Sequence, residues 1–269
     1  MIDLSQATPA ELRSMIRNNE LIKPTAGMAN GYAQANLAIL KKEHAFDFLL
    51  FCQRNPKSCP LLDVTEIGSP IPAFAAKSGD IRTDIPKYRV YKYGELVEEV
   101  TDISNYWEDD MVGFLIGCSF TFEHALLNND ISIRHIEEGC NVPMYKTNIP
   151  CIEAGIFHGK MVASMRPIPQ KDVVRAAQVT SRFPAVHGAP IHIGDPEAIG
   201  VSSIQHPDFG DPVTIREGEV PVFWACGVTP QSIAMETKPE IMITHAPGHM
   251  FITDIRDEKI RSFITDRKR

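Results

Sequence analysis

No run of about 18 apolar residues occurs in the 269-residue sequence, which excludes a helical membrane span. Basic excess is also missing: 27 Lys and Arg stand against 34 Asp and Glu, a formal charge of −7. Phosphate contacts need a basic surface, so neither nucleic acid nor an acidic membrane is expected as the main partner. The start, Met1-Ile2-Asp3-Leu4-Ser5, lacks the basic residues and apolar core of a secretory leader, and a cytoplasmic location is expected. Cysteine is too thin for a disulfide framework: Cys52, Cys59, Cys118, Cys140, Cys151 and Cys226 are spread along the chain and read as thiols. No phosphate loop, Rossmann glycine fingerprint, Ser-His-Asp signature or zinc spacing is present, so no cofactor and no metal is expected. A hydrophobic share of 43% and a charged share of 23% are those of a globular chain long enough to bury a large core.

Thr8, Pro9 and Glu11 have the spacing of a capping box and predict a helix to Asn18. Lys23-Pro24-Thr25-Ala26-Gly27 breaks it, and Met28 to Leu40 is expected as a second helix before the apolar Ala45 to Cys52, making the N-terminal quarter mostly helical. From Pro70 to Trp107 short runs of β-formers appear at Ile71–Phe74, Tyr88–Tyr93 and Glu95–Val100, and Gly94 predicts a hairpin between the last two. Lys160–Pro167, Gln170–Arg182 and Ala189–Ile193 read as strand, helix and strand. The basic tail Arg261–Arg269, mixed with Asp266, is read as a solvated end.

An internal repeat organises the rest. Met111–Ile116 leads into Cys118-Ser119-Phe120-Thr121-Phe122-Glu123, and Val220–Ala225 leads into Cys226-Gly227-Val228-Thr229-Pro230-Gln231. Both read as apolar strand, then Cys-x-x-Thr-x-Glu/Gln at a helix start. Downstream, Met144-Tyr145-Lys146-Thr147-Asn148-Ile149 matches Met250-Phe251-Ile252-Thr253-Asp254-Ile255. The expected fold is therefore a pseudo-twofold duplicated α/β main domain over 1–157 and 205–269, with a smaller inserted β-α-β (α+β) subdomain over 158–204.

Paired helix starts suit a small anion, since the first amides of a helix are unpaired and its dipole is positive there. Ser119, Thr121, Gly227 and Thr229 are placed to bind such a substrate, although Thr121 and Thr229 also read as N-caps. Glu123 and Gln231 either reach a substrate amine or hydroxyl or lie solvated in the first turn. Cys118 and Cys226 are candidate proton carriers or nucleophiles, because a helix start lowers a thiol pKa; the alternative is close packing around the site. His187, His192 and Asp195 share a Gly/Pro-rich stretch fit for acid–base work, and His245 has a similar His-Ala-Pro setting. Arg82, between Asp80 and Asp84, either clamps a carboxylate or pairs internally; Arg166 and Arg182 are weaker candidates.

Pro24–Gly27, Gly31–Leu37, Asp80–Asp84, Ile116–Phe120, His187–Pro190 and Trp224–Gln231 resemble the motifs of the D-glutamate cyclase family, whose bacterial members are called hydro-lyases. The resemblance covers nearly the whole chain. It implies a two-part α/β architecture and a lyase that converts D-glutamate to 5-oxo-D-proline with loss of water. Proton transfer at an α-carbon between Cys118 and Cys226, as in a racemase or dehydratase, and non-catalytic binding of an amino acid remain as alternatives. The expected partner is a small anionic substrate, and a homo-oligomer is left open.

Overall fold

The computed structural model describes residues 3–262, so the basic tail beyond Ser262 lies outside the described residues. The architecture is mixed α/β, built on two antiparallel sheets. Helix α1 (Pro9–Arg17) opens with the expected capping box: Thr8 accepts from the Glu11 amide, and the Glu11 carboxylate accepts from Thr8. Strand β1 (Tyr32–Lys41) and helix α2 (Lys42–Arg54) follow. Then come β2 (Leu61–Val64), β3 (Tyr88–Lys92), β4 (Glu95–Val100) and β5 (Met111–Gly117). Next in sequence are α3 (Phe120–Leu127), α4 (Arg134–Glu138), β6 (Met144–Pro150), β7 (Lys160–Pro169), α5 (Val173–Thr180) and β8 (His192–Ile193). The chain closes with β9 (Glu219–Ala225), α6 (Thr229–Thr237), β10 (Ile241–His245), β11 (Phe251–Arg256) and α7 (Asp257–Ser262).

The first sheet runs β2-β5-β1-β10-β3-β4, with β11 also on β1; the second runs β6-β7-β9-β8. The main correction falls on residues 28–40, expected as a helix: residues 32–40 belong to β1, a central strand of the first sheet. Ala33, Gln34, Ala35, Asn36, Leu37, Ala38, Ile39 and Leu40 are all buried, so the alternation that marks a half-solvated strand is absent. Without it, an apolar run fits either period, and the three partners of β1 decide the outcome. The β3–β4 hairpin forms as expected, with Tyr93 and Gly94 at φ 51° and 81°, the left-handed pair that a two-residue turn needs. Ile71–Phe74 forms no strand, and only His192–Ile193 of the expected 189–193 strand pairs.

Residues 158–204 share their sheet with the rest of the chain. Strand β7 pairs with β6 on one side and β9 on the other, and both partners lie outside that range. The two sheets also exchange the chain around each repeat. From β5 in the first sheet it passes through α3 and α4 to β6 in the second; from β9 in the second it passes through α6 to β10 in the first.

Both faces of the first sheet are covered. One apolar cluster joins Leu37, Ile39, Leu115 and Ile243 of that sheet to Phe122 of α3 and to Ile168, Val222 and Trp224 of the second sheet. On the other face Phe48 and Phe51 of α2 pack on Phe114 and Phe157, the Phe48 and Phe114 rings meeting edge to face at 4.9 Å. Truncating a phenylalanine so buried costs about 3–5 kcal/mol. That packing fixes β1 and β5, and through them the first of the two thiol turns.

Candidate active site

Each thiol turn is clasped to a central strand by the same hydrogen bonds. The Cys118 amide donates to the Gln34 carbonyl at 3.1 Å, and the Gln34 amide returns a bond to Thr121 Oγ1 at 3.1 Å. In the other unit the Cys226 amide donates to Val162 O at 2.9 Å, and the Val162 amide to Thr229 Oγ1 at 3.1 Å. The downstream strands repeat the match: Thr147 Oγ1 donates to Met161 O, and Thr253 Oγ1 to Ala33 O, both at 2.7 Å. Thr121 and Thr229, expected to offer hydroxyls to an anion or to cap the helices, instead tie each helix start to β1 or β7. The hydroxyl of Thr229 is used twice, since it also donates to Cys226 O at 2.7 Å.

The two thiols share one buried cluster with Phe120, Val142, Met144, Val162, Val228 and Met250. Both are free, and neither lines the cavities that run along Ala26 and Met28, between α3 and α5, or beside β3 and β6. Burial pushes Cys226 up to about 11, an effect the Val228 amide only partly offsets, and raises Cys118 further still. The expected lowering of the thiol pKa is therefore reversed, because desolvation outweighs the helix start. At neutral pH these are proton donors, not thiolates.

Beyond the shared clasps the units part company. Glu123 in the first turn of α3 is buried, not solvated, and meets Arg166 of β7, whose Nε lies 2.9 Å from Glu123 Oε1 and whose Nη2 also bonds that oxygen. The guanidinium further donates to Ser164 Oγ at 3.1 Å and Ser119 Oγ at 3.0 Å, and lies over the rings of Phe122 and Trp224. Nε2 of His135 on α4 stands 3.3 Å from the same carboxylate oxygen. Burial pushes the Glu123 carboxyl up, but His135 and Arg166 beside it outweigh that and hold it below the usual carboxylate range.

At the second helix start the partners are neutral. Gln231 Nε2 donates to His245 O at 2.7 Å, and His245 Nδ1 lies 3.1 Å from the Leu37 amide and 3.3 Å from the Leu37 carbonyl. Burial takes the His245 pKa down to about 3. Gln231 Oε1 and His245 Nε2 have no partner. Gly227 occupies the place of Ser119 because a Cβ there would lie 1.9 Å from Asn36 Nδ2, whose amide caps the Gly117 carbonyl at 2.8 Å. His187 lies beside Gly117 at the first turn instead, with Nδ1 on Lys57 O at 2.9 Å and its pKa lowered by burial to about 4.

Four candidate site residues, Arg82, His192, Asp195 and Arg182, stand apart. Arg82 is spent on Asp80, at 3.0 Å from Nε and 2.7 Å from Nη2. His192 lies on β8 at the edge of the second sheet, where it bonds the Asp195 carbonyl, not its carboxylate, and the carboxylate accepts from the Glu197 amide. Arg182 lines a cavity of about 230 Å³ between α3 and α5. Sequence reasoning underrated Arg166 and missed His135, which belongs to a five-residue helix in no motif. Among the described residues no three His, Cys, Asp or Glu side chains converge as a metal site.

Comparison with known proteins agrees with the motifs. The sequence model of the D-glutamate cyclase family matches residues 112–254, a span that contains both thiol turns. A protein of Geobacillus kaustophilus named "putative hydro-lyase" is 74% identical over 250 residues, 93% of this chain and 95% of that protein. The "putative hydro-lyase YcsI" of Bacillus subtilis is 69% identical over 252 residues, 94% of this chain and 98% of its own length. The solved structure of a nitrogen repressor-like protein from Methanococcus jannaschii covers 87% of this chain and 91% of its own at 11% identity and a TM-score of 0.39, too slight a likeness to bear on fold or function.

Proposed function

The chain belongs to the D-glutamate cyclase family, and on that premise we propose that it is a lyase removing water from a small amino or carboxylic acid, in specific form closing D-glutamate to 5-oxo-D-proline. The observation that carries this reading is the meeting in one buried region of two helix starts that share their hydrogen bonds but differ in charge.

Ring closure needs an amine that has lost a proton, a γ-carboxyl made electrophilic and a proton for the departing oxygen. In the proposed mode the α-carboxylate lies at the start of α6, where Gly227 brings bare backbone and Gln231 and His245 offer neutral polar atoms. The γ-carboxyl lies at the start of α3 beside Ser119 and Arg166, whose fixed positive charge meets the oxyanion that forms as nitrogen attacks. Cys118 and Cys226, protonated at working pH, are placed to donate rather than to attack. His187, neutral for the same reason, orients the set. Loss of one such oxyanion partner costs about 10²–10³ in rate.

The matched thiols favour a second reading, proton transfer at an α-carbon between Cys118 and Cys226. Their raised pKa values count against it, since abstraction must begin from a thiolate. Incubation of the purified protein with α-deuterated D-glutamate separates the readings by mass. Loss of one water with deuterium retained is the expected result; deuterium washed out supports α-carbon chemistry, and bound ligand with no mass change supports a carrier.

A further inference from the structure

We propose that His135 is a proton-transfer residue of this site, held by the Glu123–Arg166 pair and reached from the cavity outside α4. The proposal rests on the lyase reading above and adds to it a residue outside every motif.

Three elements converge on it. Arg166 of β7 fixes the Glu123 carboxylate of α3 through Nε and Nη2, and that carboxylate presents Oε1 to His135 Nε2 at 3.3 Å. A carboxylate that holds an imidazole, and is itself held by a third group, is the arrangement that positions a general base. The His135 ring lies nearly parallel to Phe120, their centroids 6.1 Å apart at 28°, and its carbonyl is fixed by the Cys140 amide.

The cluster is also incomplete. Glu123 Oε2 is buried without a hydrogen-bond partner, and His135 Nε2 has only its ion-pair approach to Glu123 Oε1. Each such atom costs about 1–3 kcal/mol unless something completes it. His135 lines the cavity of about 680 Å³ that runs along Ala26 and Met28, and Glu123 lines the narrow one next to it. The other charged groups on the larger cavity are Asp3, Lys23 and Asp211. On α4 itself Arg134 is engaged by Glu137 and Glu219, which leaves Glu123 as the carboxylate that faces the ring. His187 and His245 are as deeply buried, but both commit Nδ1 to backbone and neither lines these two cavities.

The proton count suits one relay. Closing the ring forms the C–N bond, breaks a γ C–O bond and takes two protons from the ammonium; both finish on the departing oxygen, which leaves as water. No net proton is consumed, so a single imidazole that carries the two protons in turn, each taken from nitrogen and passed to oxygen, ends the cycle in its starting state.

Two parallel measurements on the full chain test this. The first compares D-glutamate turnover and its pH profile in wild type, His135→Gln and His135→Ala, with melting checked for each. Expected are a fall in kcat of about 10²-fold or more, loss of one limb of the profile, and partial rescue of His135→Ala by added imidazole. Wild-type kcat and profile in His135→Gln, or a loss that imidazole does not rescue, overturns the proposal. The second maps acylation by diethyl pyrocarbonate with mass spectrometry and needs no turnover. His135 should react faster than the equally buried His187 and His245, and equal or slower reaction overturns the proposal even where the wild type converts no acid and the lyase reading itself has failed.

Discussion

The two thiol turns are alike in backbone and opposite in electrostatics. Cys118 and Cys226 donate to their strands at 3.1 and 2.9 Å, and Thr121 and Thr229 accept from them at 3.1 Å in both. Around the first, however, a carboxylate, a guanidinium and an imidazole crowd together; around the second stand an amide, a neutral histidine and a glycine. The clasp is what a short motif must specify to start a helix beside a strand, and it leaves the side chains facing the shared centre free to diverge. Chemistry that needs a charged end and a neutral end is served by that divergence.

The largest effect that can break this comparison is loss of the guanidinium. Arg166→Met leaves Glu123 buried with only His135 beside it, an expected cost of about 3–5 kcal/mol, read from urea unfolding. Gln231→Leu in the other unit should cost about 1–3 kcal/mol. A double-mutant cycle with Glu123→Leu should recover much of the Arg166→Met loss; similar costs in both units and no recovery would mean that the charge difference is unimportant to stability.

Next in size is Gly227→Ala. Its Cβ meets Asn36 Nδ2 at 1.9 Å, so Asn36 must leave the Gly117 carbonyl, at about 1–3 kcal/mol. Ser119→Ala, the matching change, adds no atom and loses only the bond to Arg166.

Acid should separate the units by pH. His245 and His187 have native pKa values lowered by burial to about 3 and about 4, so unfolded chains bind protons that native ones refuse. Stability then falls as pH drops below about 6.5, by about 1.4 kcal/mol per unit for each histidine. Glu123, whose native pKa is held low, contributes stability present above its unfolded value and lost only as pH falls through the lower native one. His245→Gln should flatten the slope between pH 6 and 5 by one proton; an unchanged slope would remove His245 from the account.

The smallest expected effects fall on the clasps. Thr121→Val and Thr229→Val should each cost about 0.5–1.5 kcal/mol, with Thr229 the larger because its hydroxyl makes two bonds.

What could be read from sequence follows the range of the interactions. The capping box, the hairpin and both strand-to-helix turns are local, and they were legible. Strand β1 was not, since burial on both faces erases its period and its three neighbours lie far off in sequence. Cys118, Glu123, Gln231 and His245 were visible as candidates, but the sign of the thiol shift was not, because it depends on burial among residues far apart in sequence. The pairing of Glu123 with Arg166 and His135 joins three elements that no spacing connects.

The central claim is that the charged unit performs the chemistry while the neutral unit binds. Single-turnover and steady-state conversion of D-glutamate by Glu123→Gln and Gln231→Ala, each checked for folding by thermal melting, tests it most directly. The account predicts a drop in kcat of about 10²-fold or more for Glu123→Gln and a raised KM with nearly unchanged kcat for Gln231→Ala. Wild-type kcat in Glu123→Gln would contradict it.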